Sequence, residues 1–303
     1  MAYSRAIRPY APWAVALITA ATAFFFAYSY FIEPDRLVIY TSTLKIKDWD
    51  PAFDQLKIVV LGDIHGGSHC ITKEKLQSIV SRINEQSPDL VVFLGDFVSP
   101  INQRSSRSGD KLRMPLAVVA ANLAGIKSTF GVFAVLGNHD GAYGDDSVAT
   151  ALGDIGLRVL QNEVVAIEKN GARLRILGMA DHLKLPGSWR QISDDAKRRL
   201  QGTGEGNIIV LEHSPDIVPA ITGDLSISSD LKLLLAAHTH GGQIRFPIVG
   251  PPIVPSSFGQ KFVRGHIKNA DVDVFITSGI GTSILPLRFL VPPEIAVLTI
   301  EAN

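Results

Sequence analysis

Five short apolar segments, each running directly into Asp, Asn or His, are the feature that most constrains the fold of this chain. They are LKIVVLGDIH (56–65), DLVVFLGDF (89–97), GVFAVLGNHD (131–140), NIIVLEHSPD (207–216) and LKLLLAAHTH (231–240). Helical segments such as 72–87 and 114–126 lie between them, and this alternation indicates an α/β core with buried sheets. Two later segments, 164–180 with its Asn-Gly turn and 271–279, look antiparallel. We therefore predict an α/β sandwich of two mixed sheets flanked by helices.

A charge-free stretch near the N-terminus, PYAPWAVALITAATAFFFAYSYFI (9–32), stands apart from the rest of the chain. At about 1.5 Å per residue, an apolar helix of this length can span a hydrocarbon core of roughly 30 Å. Trp13 near one end and Tyr28 and Tyr30 near the other suit the two membrane interfaces. A buried core helix and a cleaved signal peptide are the rival interpretations. The bulky residues from Tyr30 onward favour an uncleaved, single-pass transmembrane anchor.

The chain is therefore predicted to contain three regions: a membrane anchor (1–33), a connector with one short strand (34–54) and a catalytic domain (55–303). Basic residues flank both ends of the apolar run, so the positive-inside rule leaves the side of the membrane open. The polar stretch SPINQRSSRSGDK (99–111) is predicted to be a mobile surface loop.

Composition excludes some kinds of partner and site. Lys plus Arg and Asp plus Glu number 29 each, so the chain has no overall basic field that would attract nucleic acid, and none is expected as a partner. Cys70 is the single cysteine, which excludes an intrachain disulfide and a cysteine-rich zinc site.

The polar residues after the five strands form a candidate metal site. Ligands in open α/β sheets gather at the carboxyl ends of strands, so these residues should converge on one crevice. The candidate ligands are Asp63, His65, Asp96, Asn138, His213, His238 and His240. Mixed His, Asp and Asn ligation suits zinc, manganese or iron. Seven ligands are too many for one tetrahedral site, whereas two divalent ions that share a carboxylate would use them all and could activate water for attack at phosphorus.

The pattern GDIH…GDF…GNHD…H…AHTH, over residues 56 to about 245, resembles the five-block signature of the calcineurin-like metallophosphoesterase superfamily. The C-terminal segment further resembles a bacterial membrane-associated branch, related to the UDP-2,3-diacylglucosamine pyrophosphatases of the lipid-A pathway. The resemblance implies a metallophosphoesterase-type β-sandwich in a bacterial inner membrane. It also implies one metal held by Asp63, His65, Asp96 and His240. A second would be held by Asp96, Asn138, His213 and His238, with Asp96 bridging.

The resemblance assigns two further catalytic residues and shows two departures. His139 corresponds to the histidine that protonates the leaving oxygen, and Asp140 to its orienting partner. The last block usually begins with Gly where this chain has Ala237, which is expected to perturb the local backbone slightly. The first block carries Gly62 where Ser is common, which is expected to matter little.

Further candidates rest on residue type alone. Arg288 is either a clamp for substrate phosphate or a surface arginine. His69 and His182 are either pocket residues or structural ones, whereas His266 is expected to be structural. The nearly uncharged segment FPIVGPPIVPSSF (246–258) is either an apolar surface beside the pocket or a rigid loop packed on the core.

Together these features predict a membrane-tethered, dinuclear metal-dependent phosphoester hydrolase. Its expected substrate is a phosphodiester or pyrophosphate in a lipid-linked molecule, such as one like UDP-diacylglucosamine. A protein or nucleotide phosphatase is the alternative enzyme, and a metal-binding scaffold without catalysis is the alternative outside enzymes.

Overall fold

The structure is a computed structural model that describes residues 11–101, 111–184 and 187–303. Most of the predicted mobile loop 99–111 lies outside the described residues, as do the first two residues of the predicted apolar run 9–32.

Within the described residues, twelve strands form two six-stranded mixed sheets, as the sequence predicts. The strands are β1 (Val38–Ile46), β2 (Leu56–Leu61), β3 (Leu90–Leu94), β4 (Val132–Val135), β5 (Arg158–Val159), β6 (Glu163–Lys169), β7 (Ala172–Gly178), β8 (Ile208–Leu211), β9 (Leu231–Ala236), β10 (Gly265–Asn269), β11 (Val272–Ile276) and β12 (Glu294–Ala302). The first sheet has the order β1-β12-β2-β3-β4-β5 and the second β10-β11-β9-β8-β7-β6.

Seven α-helices accompany these strands in the described part of the chain. They are α1 (Ala11–Ala27), α2 (Lys73–Glu85), α3 (Leu116–Leu123), α4 (Asn138–Tyr143), α5 (Asp145–Gly153), α6 (Trp189–Leu200) and α7 (Val218–Ile221). The predicted helices over 72–87 and 114–126 correspond to α2 and α3. The side chain of Thr72 caps α2 by accepting a hydrogen bond from Lys75 N, which satisfies one of the free N–H groups of the first turn.

The sheets pack face to face, and helices cover their outer faces. In β2, Ile58 and Val60 point into the core between the sheets, whereas Val59 and Leu61 point into the core beneath α2 and α3. A second outer core lies between the other sheet and helices α6 and α7. Because both faces of the central strands are buried, their sequences are continuously apolar instead of alternating.

The direction of the strands brings the polar loops together. Strands β2, β3 and β4 are parallel neighbours in one sheet, and β8 and β9 are parallel neighbours in the other. Their carboxyl ends therefore lie at the same end of the sandwich, where the loops of the two sheets meet.

The two segments predicted to be antiparallel differ in how their strands pair. The Asn170-Gly171 turn joins β6 to β7 as an antiparallel hairpin, with positive φ at both turn residues, as predicted. Strand β11 is antiparallel to β10 but parallel to β9, so the prediction for this segment is correct on one side only.

The segment 34–54 is part of the sandwich and not a separate connector. Its strand β1 pairs with β12 along nine residues, and the side chains of Trp49 and Phe53 lie in the core between the sheets. Since β1 and β12 lie at opposite ends of the sequence, local patterns did not reveal this pairing.

The described N-terminal segment is helical, as the apolar run predicts. Helix α1 continues through a π-helical turn (Tyr28–Ile32) into a 3₁₀ turn (Glu33–Asp35). The part from Pro12 to Asp35 is long and apolar enough to cross a membrane, and only 6% of its most apolar window is buried in the domain. Most of the apolar surface of this segment is therefore not covered by the domain.

Candidate metal centre

The seven predicted ligands lie together at the carboxyl ends of the strands. Asp63 and His65 follow β2, Asp96 follows β3 and Asn138 begins α4 after β4. His213 follows β8, whereas His238 and His240 follow β9. Candidate ligand atoms form two neighbouring groups, each within 4.8 Å: Asp63, His65 and His240; and Asp96, His213 and His238. A third group, His65, Asp96 and His139, overlaps both.

Asp96 lies between the two groups. Its Oδ2 atom is 3.6 Å from His65 Nε2 on one side and 3.4 Å from His213 Nε2 on the other. The Asn138 side-chain oxygen adds to the second group, at 3.2 Å from His213 Nε2. One carboxylate therefore faces donors of both groups, which is the arrangement that a bridging ligand needs.

The backbone of the ligand loops is strained. Five of the seven candidate ligands have positive φ, between 46° and 68°: Asp63, His65, Asp96, His238 and His240. The left-handed conformation is uncommon outside glycine and costs roughly 1–3 kcal/mol per residue at such sites. Strain concentrated at one set of polar residues indicates that their positions serve a function and not stability.

The histidine nitrogens face one another in a way that suits a cation. His65 Nε2 lies 3.2 Å from His240 Nε2, and His238 Nδ1 lies 3.1 Å from His213 Nε2. Burial lowers the pKa of His65 to about 3 and that of His238 to about 3, and it lowers the pKa of His240 well below its usual value. These rings are therefore neutral at physiological pH, with lone pairs available for a metal.

His213 has the hydrogen bond that an imidazole ligand requires. Its Nδ1–H donates to Leu94 O at 2.7 Å, which leaves Nε2 free to bind a metal. Burial lowers the pKa of His213, but the adjacent Asp96 carboxylate outweighs burial and raises it well above its usual value.

The two buried carboxylates also fit a metal site. Burial, reinforced by the negative charge of Asp96, raises the pKa of Asp63 to about 7. Burial also raises the pKa of Asp96, but the charge and hydrogen bond of His213, together with the nearby His139 and His65, outweigh burial and hold that pKa well below its usual range. A divalent cation would stabilise both carboxylates in their charged form, so the donor set and its charges suit divalent metal binding.

His139 lies at the mouth of the centre. Its Nε2 is 4.0 Å from Asp96 Oδ2, and its backbone N–H donates to Asp96 Oδ1 at 2.8 Å. The side chain is 16% exposed, which makes it more accessible than the neighbouring ligand His65. His139 also lines the pocket that opens above the centre. Its ring is therefore placed to meet a molecule that enters from solvent.

Asp140 has a different role from the predicted one. Its carboxylate accepts four backbone hydrogen bonds, from the N–H groups of Asp96 (2.7 Å), Phe97 (2.8 Å), Val98 (3.2 Å) and Gly137 (3.0 Å). It is fully buried beneath the loop. Asp140 therefore holds the Asp96 loop in its strained conformation, and it does not orient the His139 ring.

The structure also corrects both predictions made for Arg288. It is fully buried, and its guanidinium donates to the carbonyl oxygens of Ser278 (2.9 Å), Gly281 (2.6 and 3.1 Å) and Val291 (3.1 Å). A guanidinium engaged in this way cannot clamp a substrate phosphate. Both interpretations offered by the sequence, clamp and surface arginine, are wrong, because Arg288 fixes the loops that follow β11.

The remaining histidines make contacts away from the centre. His69 Nε2 donates to Tyr30 O at 2.6 Å and its ring packs on Tyr30, so it contacts the segment that follows α1. His182 Nδ1 donates to the buried Glu212 carboxylate at 2.9 Å. His266 Nε2 donates to Asp273 at 2.7 Å between β10 and β11, in keeping with the predicted structural role.

A pocket of about 370 Å³ lies directly above the metal centre. One side is formed by Asp96, Asn138, His139, His238 and His240. The other side is mainly apolar, with Ile244, Ile253, Ile284 and Leu285. Part of this wall comes from the predicted apolar segment 246–258. The sequence did not indicate the loop at 283–285, because nothing local links it to the ligands.

Buried carboxylates, histidines and an amide that face one another beneath a pocket form a candidate metal centre of the kind that metal-dependent hydrolases use. The model of the family Calcineurin-like phosphoesterase matches residues 56–242. The metallophosphoesterase YkuE of Bacillus subtilis is 30% identical over 284 residues, covering 92% of this chain and 90% of that protein. The chain therefore belongs to the calcineurin-like metallophosphoesterase family.

Two further relatives have informative names. Phosphodiesterase YaeI of Escherichia coli is 27% identical and covers 92% of this chain and 94% of its own length. A zebrafish transmembrane protein with a metallophosphoesterase domain is 30% identical over 81% of this chain, which spans 53% of that protein. Family and site together identify the chain as a metal-dependent phosphoester hydrolase.

Proposed function

We propose that this protein is a dinuclear phosphodiesterase or pyrophosphatase that acts on a lipid-linked substrate at a membrane. The observation that supports two ions is the position of Asp96 between the two ligand groups. One ion would be held by Asp63, His65, Asp96 and His240, and the other by Asp96, Asn138, His213 and His238. The two ions would use all seven ligands that the sequence predicts.

In phosphoester hydrolysis the bound ions and the protein side chains would make different contributions. Bound divalent ions supply positive charge for the phosphoryl oxygens and lower the pKa of water. His139 serves as general acid, because its side chain lines the pocket beside the centre and can donate a proton to the leaving oxygen. Asp140 positions the Asp96 loop through its four backbone hydrogen bonds.

The apolar wall of the pocket supports a lipid-linked substrate. Ile244, Ile253, Ile284 and Leu285 lie opposite the ligands, where they would contact the group attached to the phosphate. A strongly hydrated leaving group would leave these apolar side chains in contact with water, whereas an acyl chain would cover them and remove them from water. The name of the relative YaeI supports a diester in preference to a monoester.

Helix α1 is proposed to anchor the protein in the membrane. Its exposed apolar surface fits lipid, and the transmembrane relative from zebrafish agrees with this interpretation. Ser29 and Glu33 are fully buried against the domain, so cleavage near residue 30 would remove packed contacts. These contacts favour a retained anchor over a cleaved signal peptide.

The test combines metal content with a substrate panel on the full-length protein in lipid nanodiscs. Elemental analysis should give two divalent ions per chain, and His238→Ala should lower this number together with activity. A lipid phosphodiester or pyrophosphate should be hydrolysed with higher kcat/KM than a short water-soluble diester. The anchor should stay in the membrane fraction through a high-salt wash, because a spanning helix is insensitive to ionic strength.

Several results would contradict the proposal. Equal kcat/KM for lipid and short diesters would refute the lipid-linked substrate. Preference for nucleotide or phosphoprotein monoesters would favour a phosphatase, and retained metal without any hydrolysis would favour a scaffold. Release from membranes by salt alone would refute the anchor.

A further inference from the structure

The outer rim of the pocket carries a continuous set of exposed apolar side chains. This apolar collar consists of Ile248, Val249, Ile253, Ile284, Leu285 and Leu290. Ile248 is fully exposed, and the other five are between 43% and 84% exposed. The two loops that bear most of the collar, 246–258 and 277–287, contain no charged residue. An exposed apolar patch without charges indicates a surface that contacts something other than water.

The backbone of the collar is strained as well as exposed. Ile248, Ile284 and Leu290 have φ of 73°, 61° and 55°, in the left-handed region that apolar and β-branched residues rarely adopt. Glycine or asparagine would relieve the strain and remove the exposed apolar surface in one substitution. Three such residues around one opening indicate that these side chains are needed where they are.

Hydrogen bonds support both loops of the collar. Phe246 and Gly250 exchange two backbone hydrogen bonds of 3.0 Å, which close a tight turn with Ile248 and Val249 at its tip. The Gln243 side chain donates to Leu285 O at 2.9 Å and accepts from Ser283 N at 2.9 Å. The turn with Ile248 and Val249 is therefore closed by its own backbone, and the loop at 283–285 is held by the segment that precedes this turn.

The collar is also continuous with α1. The Phe25 ring packs against Phe246 and Phe289, with centroids 5.9 and 4.8 Å apart, and Arg288 N donates to Ser29 O at 2.9 Å. Phe25 lies seven residues before Ile32, the end of the apolar run, which is about 10 Å along a helix. If α1 spans a bilayer, the domain loops that touch Phe25 lie at the depth of its last turns.

From this geometry we infer that the apolar collar inserts into the surface of the bilayer that α1 spans, so that the metal pocket opens towards lipid. The inference rests on the proposed membrane anchor. Lipid fits better than a protein partner, because the same surface continues onto a helix whose exposed faces are apolar. Insertion by a few ångströms would bury the collar at the boundary of headgroups and acyl chains.

The experiment uses the full chain in vesicles of phosphatidylcholine and phosphatidylglycerol that contain doxyl-labelled lipids. Cys70→Ser removes the native thiol, and one cysteine is then introduced and labelled with an environment-sensitive fluorophore. The three positions are Val249 in the collar, Ile18 in the middle of α1, and Asn170 in the exposed turn at the opposite end of the sheet. Each labelled protein is first checked for metal content and activity.

We expect the label at Val249 to be quenched by shallow doxyl groups, the label at Ile18 by deep ones, and the label at Asn170 by neither. Quenching at Ile18 without quenching at Val249 would contradict insertion of the collar into the bilayer, while still supporting α1 as the membrane anchor. Quenching at none of the three would overturn the anchor and the collar together.

A functional measurement supplies a second, independent test. The double variant Ile248→Ser with Val249→Ser should lower kcat/KM about tenfold or more for a phosphodiester embedded in vesicles, because two apolar side chains lose their burial in lipid. Activity on a water-soluble aryl diester should stay unchanged, since neither residue lines the pocket. An equal loss on both substrates, or no loss on either, would refute membrane insertion of the collar.

Discussion

Replacing Gly62 by serine should damage the metal centre through a clash that the sequence pattern does not reveal. Gly62 follows β2 and Ala237 follows β9, so each residue directly precedes a candidate ligand. A Cβ atom at position 62 would lie 2.5 Å from the Cβ of Ala237, whereas favourable carbon contacts lie at about 3.5–4.0 Å. The two departures from the family pattern therefore compensate, because the methyl group of Ala237 occupies the space that a serine at 62 would need.

The size of the effect follows from this overlap of about 1 Å. Inserting atoms into a well-packed site typically costs about 1–3 kcal/mol, and Gly62→Ser is expected in that range. Ala237→Gly alone should cost less, about 0.5–1 kcal/mol, through lost packing and added backbone freedom. The double variant should recover much of the loss, with a coupling energy of about 0.5–3 kcal/mol.

The assay is a double-mutant cycle on the full-length protein, with unfolding and metal content measured in parallel. Each kcal/mol should lower the apparent Tm by roughly 2–4 °C for a chain of this size. His238 N donates to Asp63 Oδ2 at 3.1 Å across this contact, so Gly62→Ser should also lower metal occupancy. Gly153→Ser is the matched control, because nothing lies within 4 Å of a Cβ at that position. A Gly62→Ser variant that behaves like the control, or a double variant no more stable than Gly62→Ser, would contradict a clash between positions 62 and 237.

Three further substitutions separate metal binding, proton transfer and loop support. His139→Ala should keep the metal content while kcat drops roughly 10²–10⁴-fold on alkyl esters and less on aryl esters, whose leaving groups need no proton; stoichiometric metal loss or equal slowing of both esters would contradict an acid role. Arg288→Met should destabilise the fold by about 3–5 kcal/mol in chemical unfolding, because it removes a buried charge from its partners; a raised KM with normal stability would instead support a role of Arg288 in binding the substrate phosphate. Asp140→Asn should lower stability and metal occupancy with an unchanged ratio of aryl to alkyl ester rates, whereas a changed ratio would show that Asp140 acts through His139.

The fold and the ligand set could be predicted because both leave local traces in the sequence. Strands buried on both faces are continuously apolar, and their carboxyl ends are where polar residues appear, so Asp63 and His240 could be placed near each other across the chain. The Asn-Gly turn between β6 and β7 is equally local, since its left-handed conformation requires those residue types.

Features that depend on long-range packing could not be predicted in this way. Strand β1 pairs with β12 between residues about 250 positions apart, so segment 34–54 looked like a linker. The parallel pairing of β11 with β9 also depends on strand order and not on the strand's own pattern. The contact of Phe25 with Phe289 likewise brings α1 onto the rim of the pocket without any sequence signal at either residue.

Arg288, interpreted from its residue type, and Asp140, interpreted from the family resemblance, make contacts that indicate other roles. Each is a charged residue near a catalytic motif, and a charge near such a motif is commonly interpreted as chemistry. In the structure the cation satisfies backbone carbonyl groups and the anion satisfies backbone N–H groups, in loops that surround the same strained ligands. Left-handed backbone at the ligands costs free energy, and a loop in that conformation loses the hydrogen bonds of regular structure. Asp140 restores such hydrogen bonds at the N–H groups of the Asp96 loop, and Arg288 bonds carbonyl groups of the segment after β11, so the ligands keep their positions while the reacting groups stay free to meet the substrate.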